Sequence, residues 1–242
     1  MNREYLSRTE RLLGAEALER LAKARVILLG VGGVGSWCAE GLVRSGVEHL
    51  TLVDSDCVAP SNMNRQLMAT VSSIGRPKVE VLRERLLSIN PEAEIRAIQA
   101  TYSDENYQDF ELDSYDYIID AIDTMKNKIS LILRATACRA KFYSSMGAAL
   151  KTDPTRIRVA EFWEVDGCPL GSALRKKLRK EKTFPSKPFL CVYDAEQQPN
   201  RGTIDEAPSE GKAVINGTMV HITAIFGFTL SGLVLEDIIR EA

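Results

Sequence analysis

The chain has 242 residues, enough to bury a full core as one domain. Its 45% hydrophobic and 26% charged content is that of an ordinary folded soluble protein, which excludes a disordered or fibrous chain, and a net charge of −2 selects no partner by itself. Five scattered cysteines with no CxxC pair, and only two histidines, give no framework for a structural zinc, so none is expected; the odd cysteine count and the charged start MNREYLSRTER suit a reducing, cytoplasmic setting.

In chain order, residues 9–24 place Leu12, Leu13, Leu18 and Leu21 near helical spacing and predict an amphipathic helical lead-in interrupted at Gly14. A strand follows from Arg25 and ends in a turn containing Gly30, Gly32, Gly33 and Gly35. A helix is predicted over 34–45, stopped by Gly46, and a second strand over 49–54 closes on Asp54. After a loop over 55–76, Pro77 suits a first helical residue, and Val79, Leu82, Leu86 and Ile89 mark one apolar face before Asn90–Pro91 ends the helix. A third strand is predicted at 95–99, loop with a short helix at 101–114, a buried fourth strand at 115–121, a helix at 124–140 and a short strand at 142–146. Such alternation with right-handed crossovers gives an α/β, doubly wound, mostly parallel Rossmann-like sheet. We expect a single domain, with residues 1–150 as the nucleotide-binding part and 151–242 as a substrate-facing extension.

The extension is predicted to hold a strand near 156–163, a basic helix at 170–182, a strand near 189–193, a polar loop at 194–212 and an apolar helix at 218–235. The 18 residues of that last helix would extend about 27 Å, just short of a bilayer's hydrocarbon core. Its small and polar residues and the following Glu236 and Asp237 favour a buried helix over a membrane anchor. The basic helix carries Arg175, Lys176, Lys177, Arg179, Lys180 and Lys182 against one acid, a local +5 that leaves −7 for the rest of the chain. On charge alone, a solvated helix face and a polyanion-binding face stay equally open.

Strand, glycine turn, helix, strand and acid make a nucleotide site. Glycines let the backbone approach a phosphate, the helix start offers unsatisfied N–H groups, and Asp54, 19 residues after Gly35, is spaced to accept from ribose hydroxyls. A hydride-transferring oxidoreductase or a nucleotide-sensing module would need little more. This chain adds Asp56, Asn62, Arg65 and Gln66 in the next loop, Lys78 in GRPK, and Asp123 in DAID at the end of the fourth strand. Such a set suits ATP used to activate a carboxylate. Arg65 and Lys78 would neutralise phosphate oxygens and Asp123 would hold Mg²⁺ on the leaving pyrophosphate. Asp123 could instead cap the helix that follows it. Cys191, in an apolar strand, reads as a core residue more readily than as a nucleophile.

Read in order, GVGGVG, VDSDCVAPSNMNRQ, GRPK and DAID resemble the ubiquitin-activating-enzyme superfamily, which adenylates carboxylates, over roughly residues 5–150. The resemblance implies Asp54 on the ribose, Arg65 and Lys78 on the phosphates and Asp123 on the metal. It also implies that Arg8, in SRT, reaches the phosphates of a neighbouring subunit, making the active unit a homodimer. Members that activate the Gly-Gly end of a ubiquitin-like sulfur carrier usually carry paired CxxC motifs, absent here, and that activity is the alternative reading. GCPLGSALRKKLRK, LCVYDAE and GTMVHITAIFGF resemble the tRNA threonylcarbamoyladenosine dehydratase branch, which implies tRNA as partner along the basic helix and leaves room for a sulfur-transfer or redox partner.

Overall fold

The computed structural model describes residues 4–202 and 215–240, so the predicted loop at 194–212 lies partly outside the described residues. Seven strands form one sheet in the order β3-β2-β1-β4-β5-β7-β6, where β1 is Arg25–Leu29, β2 His49–Val53, β3 Glu94–Ile98, β4 Tyr117–Asp120, β5 Lys141–Ser145, β6 Arg158–Glu161 and β7 Leu190–Tyr193. All neighbours are parallel except β6, which runs antiparallel to β7 at the edge. The chain starts outward from β1 to β2 and β3, then crosses to β4, so the order reverses beside β1. Open α/β sheets bind ligands at such a switch point, outside the carboxyl ends of the strands. The predicted mostly parallel α/β sheet is therefore observed, and both parts of the chain build it.

Helices α1 (Ser7–Leu13) and α2 (Ala15–Lys23) meet at Gly14, whose φ of 82° makes the break foreseen there. Helix α3 (Gly35–Arg44) follows the glycine turn, α4 (Lys78–Ile89) follows the long loop, α5 (Met125–Ala137) follows β4, and α6 (Pro169–Glu181) is the basic helix. Two starts differ from expectation. Pro77 stands outside α4 in an extended conformation, with Lys78 as the first helical residue, because Cys57 and Pro77 form an isolated bridge that holds the proline in the preceding loop. Helix α5 begins at Met125, with Thr124 at the boundary, so Asp123 is not its cap.

One side of the sheet is covered by α3, α4 and α7 (Val220–Arg240) around Val26, Leu28, Leu42 and Leu82; the other by α5 and α6 around Ile27, Ile118, Leu131 and Leu174. Helix α7 is long and apolar enough to cross a bilayer by length and composition, yet half of its apolar window is buried. It lies tightly on α3. A Cβ on Gly227 would meet the Val34 carbonyl oxygen at 2.4 Å, and one on Gly41 would meet Ser231 Oγ at 2.5 Å, so each helix presents a glycine where the other's backbone or hydroxyl approaches. Farther along α7, the Asp237 carboxylate accepts from Tyr117 Oη (2.7 Å) and pairs with Lys141 Nζ (2.6 Å). Helix α7 thereby packs on α3, the helix that follows the glycine turn, and is tied to β4 and β5.

Candidate active site

The carboxyl ends of β1, β2 and β4 bring the predicted residues together. Gly30, at φ 87°, turns the chain where a Cβ would strike the Ala121 carbonyl at 2.7 Å, and a Cβ on Gly35 would lie 1.9 Å from the Gly30 carbonyl oxygen. Neither position tolerates a side chain, because backbone touches backbone there. The N–H groups of Gly32, Gly33 and Val34 come ahead of the helical bond that Ser36 N donates to the Gly32 carbonyl (3.1 Å), leaving the turn a row of donors at the positive end of α3. Asp54 shapes this turn as well as facing it: Oδ2 accepts from Val31 N (2.8 Å) and Oδ1 from Asp56 N (2.9 Å). Burial raises the Asp54 carboxyl above its ordinary value, with Lys78 opposing the shift.

Arg65 and Gln66 are carried onto the turn by contacts that no local pattern announces. Trp37 Nε1 donates to the Arg65 carbonyl (3.0 Å), Leu67 N donates to buried Ser36 Oγ (3.2 Å), and Asn64 Nδ2 donates to the Thr218 carbonyl (3.0 Å). The stem of Arg65 consequently lies against Gly33, where a Cβ would meet its Cγ at 3.2 Å. Gln66 is buried beside Gly32, where a Cβ would lie 3.8 Å from its Nε2, and its Oε1 is buried with no hydrogen-bond partner. Asn62 works within the loop, its Oδ1 accepting from Ala59 N (3.0 Å).

Lys78 reaches the same edge from the start of α4. Its side chain is almost fully buried and Nζ donates to Asp56 Oδ2 at 2.7 Å, while the Asp56 side chain is 64% exposed. Asp56 is thus the tether of the cation. Asp123 lies exposed at the end of the 120–123 turn, which rests on Gly30, and its Oδ1 accepts weakly from Thr124 Oγ1 (3.5 Å). Among the described residues no three His, Cys, Asp or Glu side chains converge as a metal cage. An exposed carboxylate beside a phosphate turn nonetheless fits Mg²⁺, which takes one or two protein carboxylates and fills its octahedron with phosphate oxygens and water.

The sequence reading missed the device that holds Asp123. Asp120 and Lys128 are both fully buried and pair at 2.7 Å; Asp120 also accepts from Ser144 Oγ (2.7 Å) and from Ile122 N (3.0 Å), and Lys128 Nζ donates to the Ile122 carbonyl (3.0 Å). Its signal was present: Lys128 stands with Leu131, Ile132 and Ala135 at spacings of three, four and seven, a cation on the apolar face of α5. Cys191, paired in register with Ser144, is fully buried, and burial pushes its thiol well up, as suits a core residue.

Beyond β5 and β7, a second polar frame stands at the same edge. Glu196 accepts from Thr152 N (2.8 Å), Thr152 Oγ1 (2.8 Å), Asp153 N (2.9 Å) and Gln198 Nε2 (2.7 Å), and buried Lys151 donates to its backbone carbonyl (2.6 Å). These bonds hold the Glu196 carboxyl at about 2, below its ordinary 4.5. Between those values the unfolded chain binds the extra proton, so this contribution to stability is complete above about 4.5 and is lost as pH falls toward 2. Glu196→Gln should therefore flatten the acid limb of a stability-against-pH curve in that window; an unchanged limb in urea titrations would show that Glu196 does not carry it.

The expected tRNA contacts divide. Lys176, Lys180 and Lys182 are exposed, Arg175 donates to the Phe162 carbonyl (3.0 Å), Lys177 pairs with Glu181 at 3.8 Å, and Arg179 lies over the Trp163 ring. Arg8 is exposed on α1, two residues after Leu6, which packs at Gly46 beyond the far end of α3. The length of α3, about 15 Å, separates it from its own glycine turn.

The chain is similar to known proteins along almost its whole length. Residues 6–234 match the ThiF family. The chain is 37% identical over 243 residues to the tRNA threonylcarbamoyladenosine dehydratase of Bacillus subtilis, covering 97% of this chain and 94% of that protein. It is 37% identical over 242 residues to that of Haemophilus influenzae, covering 96% and 92%. The crystal structure of the Escherichia coli tRNA N6-threonylcarbamoyladenosine dehydratase in complex with ATP superposes with a TM-score of 0.88 at 31% identity, covering 99% of this chain and 95% of that one.

Proposed function

Because the chain belongs to the ThiF family, we propose that it is an ATP-dependent enzyme that dehydrates threonylcarbamoyladenosine in tRNA. The reading of the chemistry is supported by the placing of Arg65, whose stem lies against Gly33, of Lys78, held by Asp56, and of Asp123 along the edge that carries the glycine turn, with full-length similarity to the dehydratases selecting the acyl group. The substrate carboxylate attacks the α-phosphorus of ATP, the bond to pyrophosphate breaks, and an acyl adenylate forms. A nucleophile within the threonylcarbamoyl group then attacks the activated carbonyl carbon and AMP leaves with the carboxylate oxygen. The net loss is one water. No thioester cysteine is required, since the second nucleophile is already tethered beside the electrophile.

In this reading the turn amides of Gly32, Gly33 and Val34, with Gly30 and Gly35 shaping their approach, cradle phosphate, and Asp54 accepts from the ribose while fixing the turn. Arg65 and Lys78 neutralise the phosphate oxygens where charge grows in the transition state. Asn62 and Asp56 act through the loop and through Lys78, and Gln66 presents its Nε2 beside Gly32 as a donor to the nucleotide. Bound at Asp123, Mg²⁺ would stabilise the departing pyrophosphate. The far-edge position of Arg8 favours service to the neighbouring subunit of a homodimer. The exposed lysines of α6 contact the tRNA backbone. The tRNA-modifying relatives favour the cytoplasm as the place of action.

Incubation with ATP and tRNA carrying threonylcarbamoyladenosine is expected to yield AMP, pyrophosphate and a nucleoside lighter by one water, read by mass spectrometry. AMP formation that ignores tRNA, or that responds instead to a small protein ending in Gly-Gly, would overturn this reading.

A further inference from the structure

The far end of the basic helix carries a feature that adenylation does not use. Helix α6 starts at the reaction edge, where a Cβ on Gly147 would touch Leu170 Cβ at 3.7 Å, and its 13 residues run about 20 Å toward the opposite edge of the sheet. There Lys182 adopts a left-handed conformation (φ 54°), with Lys182 N donating to the Arg179 carbonyl (3.3 Å) and Thr183 N to the Leu178 carbonyl (3.1 Å). This closure sends the chain back over the helix end, in a conformation that usually falls to glycine.

The result is an aromatic shelf. Phe184 is 55% exposed, its ring centroid 6.1 Å from that of Trp163; Trp163 packs edge-on against buried Phe162 at 5.2 Å and carries the Arg179 guanidinium 5.2 Å from its centroid. Trp163 N donates to Glu161 Oε2 (2.7 Å), which fixes the backbone beneath it. A large apolar ring left in water beside exposed Lys180 and Lys182 has the chemistry of a single-stranded nucleic-acid platform, where cations follow the phosphates and a π-face takes a base.

We propose that Phe184, backed by Trp163 and Arg179, stacks an unpaired base of the tRNA. It stands about 20 Å from the reaction edge and so takes a nucleotide other than the one being modified. The inference rests on tRNA being the substrate and adds to it a stacking site whose energy is not electrostatic. Helix α6 then acts as a spacer between the reacting adenosine and a second anchored base.

The test measures tRNA affinity across a salt series for the full-length protein. Phe184→Ala is expected to weaken binding roughly 5- to 100-fold, the range for loss of one stacked base, with the slope against salt unchanged. Phe184→Leu keeps the bulk and loses the π-face, and should fall as far; Phe184→Tyr should recover affinity. Lys176→Glu with Lys177→Glu should instead lower the salt slope. Bound tRNA should quench tryptophan fluorescence in the wild type, and Trp163→Phe should remove the quench, leaving Trp37 as the remaining tryptophan. Wild-type affinity in Phe184→Leu, alongside weakened binding in the double lysine variant, would overturn the shelf and leave the tRNA reading standing. A wild-type protein that binds no tRNA would overturn both.

Discussion

Lys78→Met should lower kcat/KM for AMP formation by about 10² to 10³, the usual cost of removing one preorganised donor to developing negative charge. The size follows from burial: the Lys78 side chain is 6% exposed, so water screens it little, while its partner Asp56 is 64% exposed and is readily solvated once unpaired. Folding should therefore change little and activity greatly. A linked effect distinguishes this from general damage. Lys78 opposes the burial that raises the Asp54 carboxyl, so its removal lets Asp54 rise further, and the acid limb of the pH–rate profile should move to higher pH. Activity within threefold of wild type, or an unmoved acid limb, would remove Lys78 from the phosphate-binding role.

The second large effect concerns stability. Lys128→Met leaves Asp120 as an uncompensated charge in a site with no exposure, which typically costs about 3 to 5 kcal/mol and should lower Tm by on the order of 10 °C. Adding Asp120→Asn removes the orphaned charge and should recover much of that loss. Affinity for Mg²⁺-ATP should not recover with it, because the Ile122 carbonyl still lacks its donor and the turn carrying Asp123 is no longer held from both sides. Calorimetry with and without Mg²⁺-ATP separates the outcomes; recovery of stability and nucleotide response together would make the pair a purely structural device.

Much of the nucleotide site could be read along the chain because its grammar is local. A strand, a glycine turn, a helix and an acid at a fixed distance are dictated by how few residues can approach a phosphate and by strand length, and Gly30, Gly35 and Asp54 stand in those roles of shape. Lys78 and Asp123 were legible as charges beside predicted element ends. Their partners were not. The bond by which Asp56 tethers Lys78 spans 22 positions; Asp123 reads equally as a helix cap, and α5 starts two residues later. Lys128 stands on the apolar face of its helix, but its partner Asp120 is set only by the packing of that helix on the sheet.

The alternating architecture, the glycine turn, the acid at Asp54, and a basic helix on a chain without paired zinc cysteines are all legible in the residues alone. Each follows from short-range periodicity or from a residue type whose backbone freedom or charge is intrinsic. Tertiary structure alone decided that β7 enters between β5 and β6, that α7 returns to brace α3, that Arg8 stands at the far edge from its own turn, and that Trp163, Arg179 and Phe184 meet. These are contacts between residues tens to hundreds of positions apart. Their pairing is selected by burial and close packing of whole elements, which local propensity does not encode.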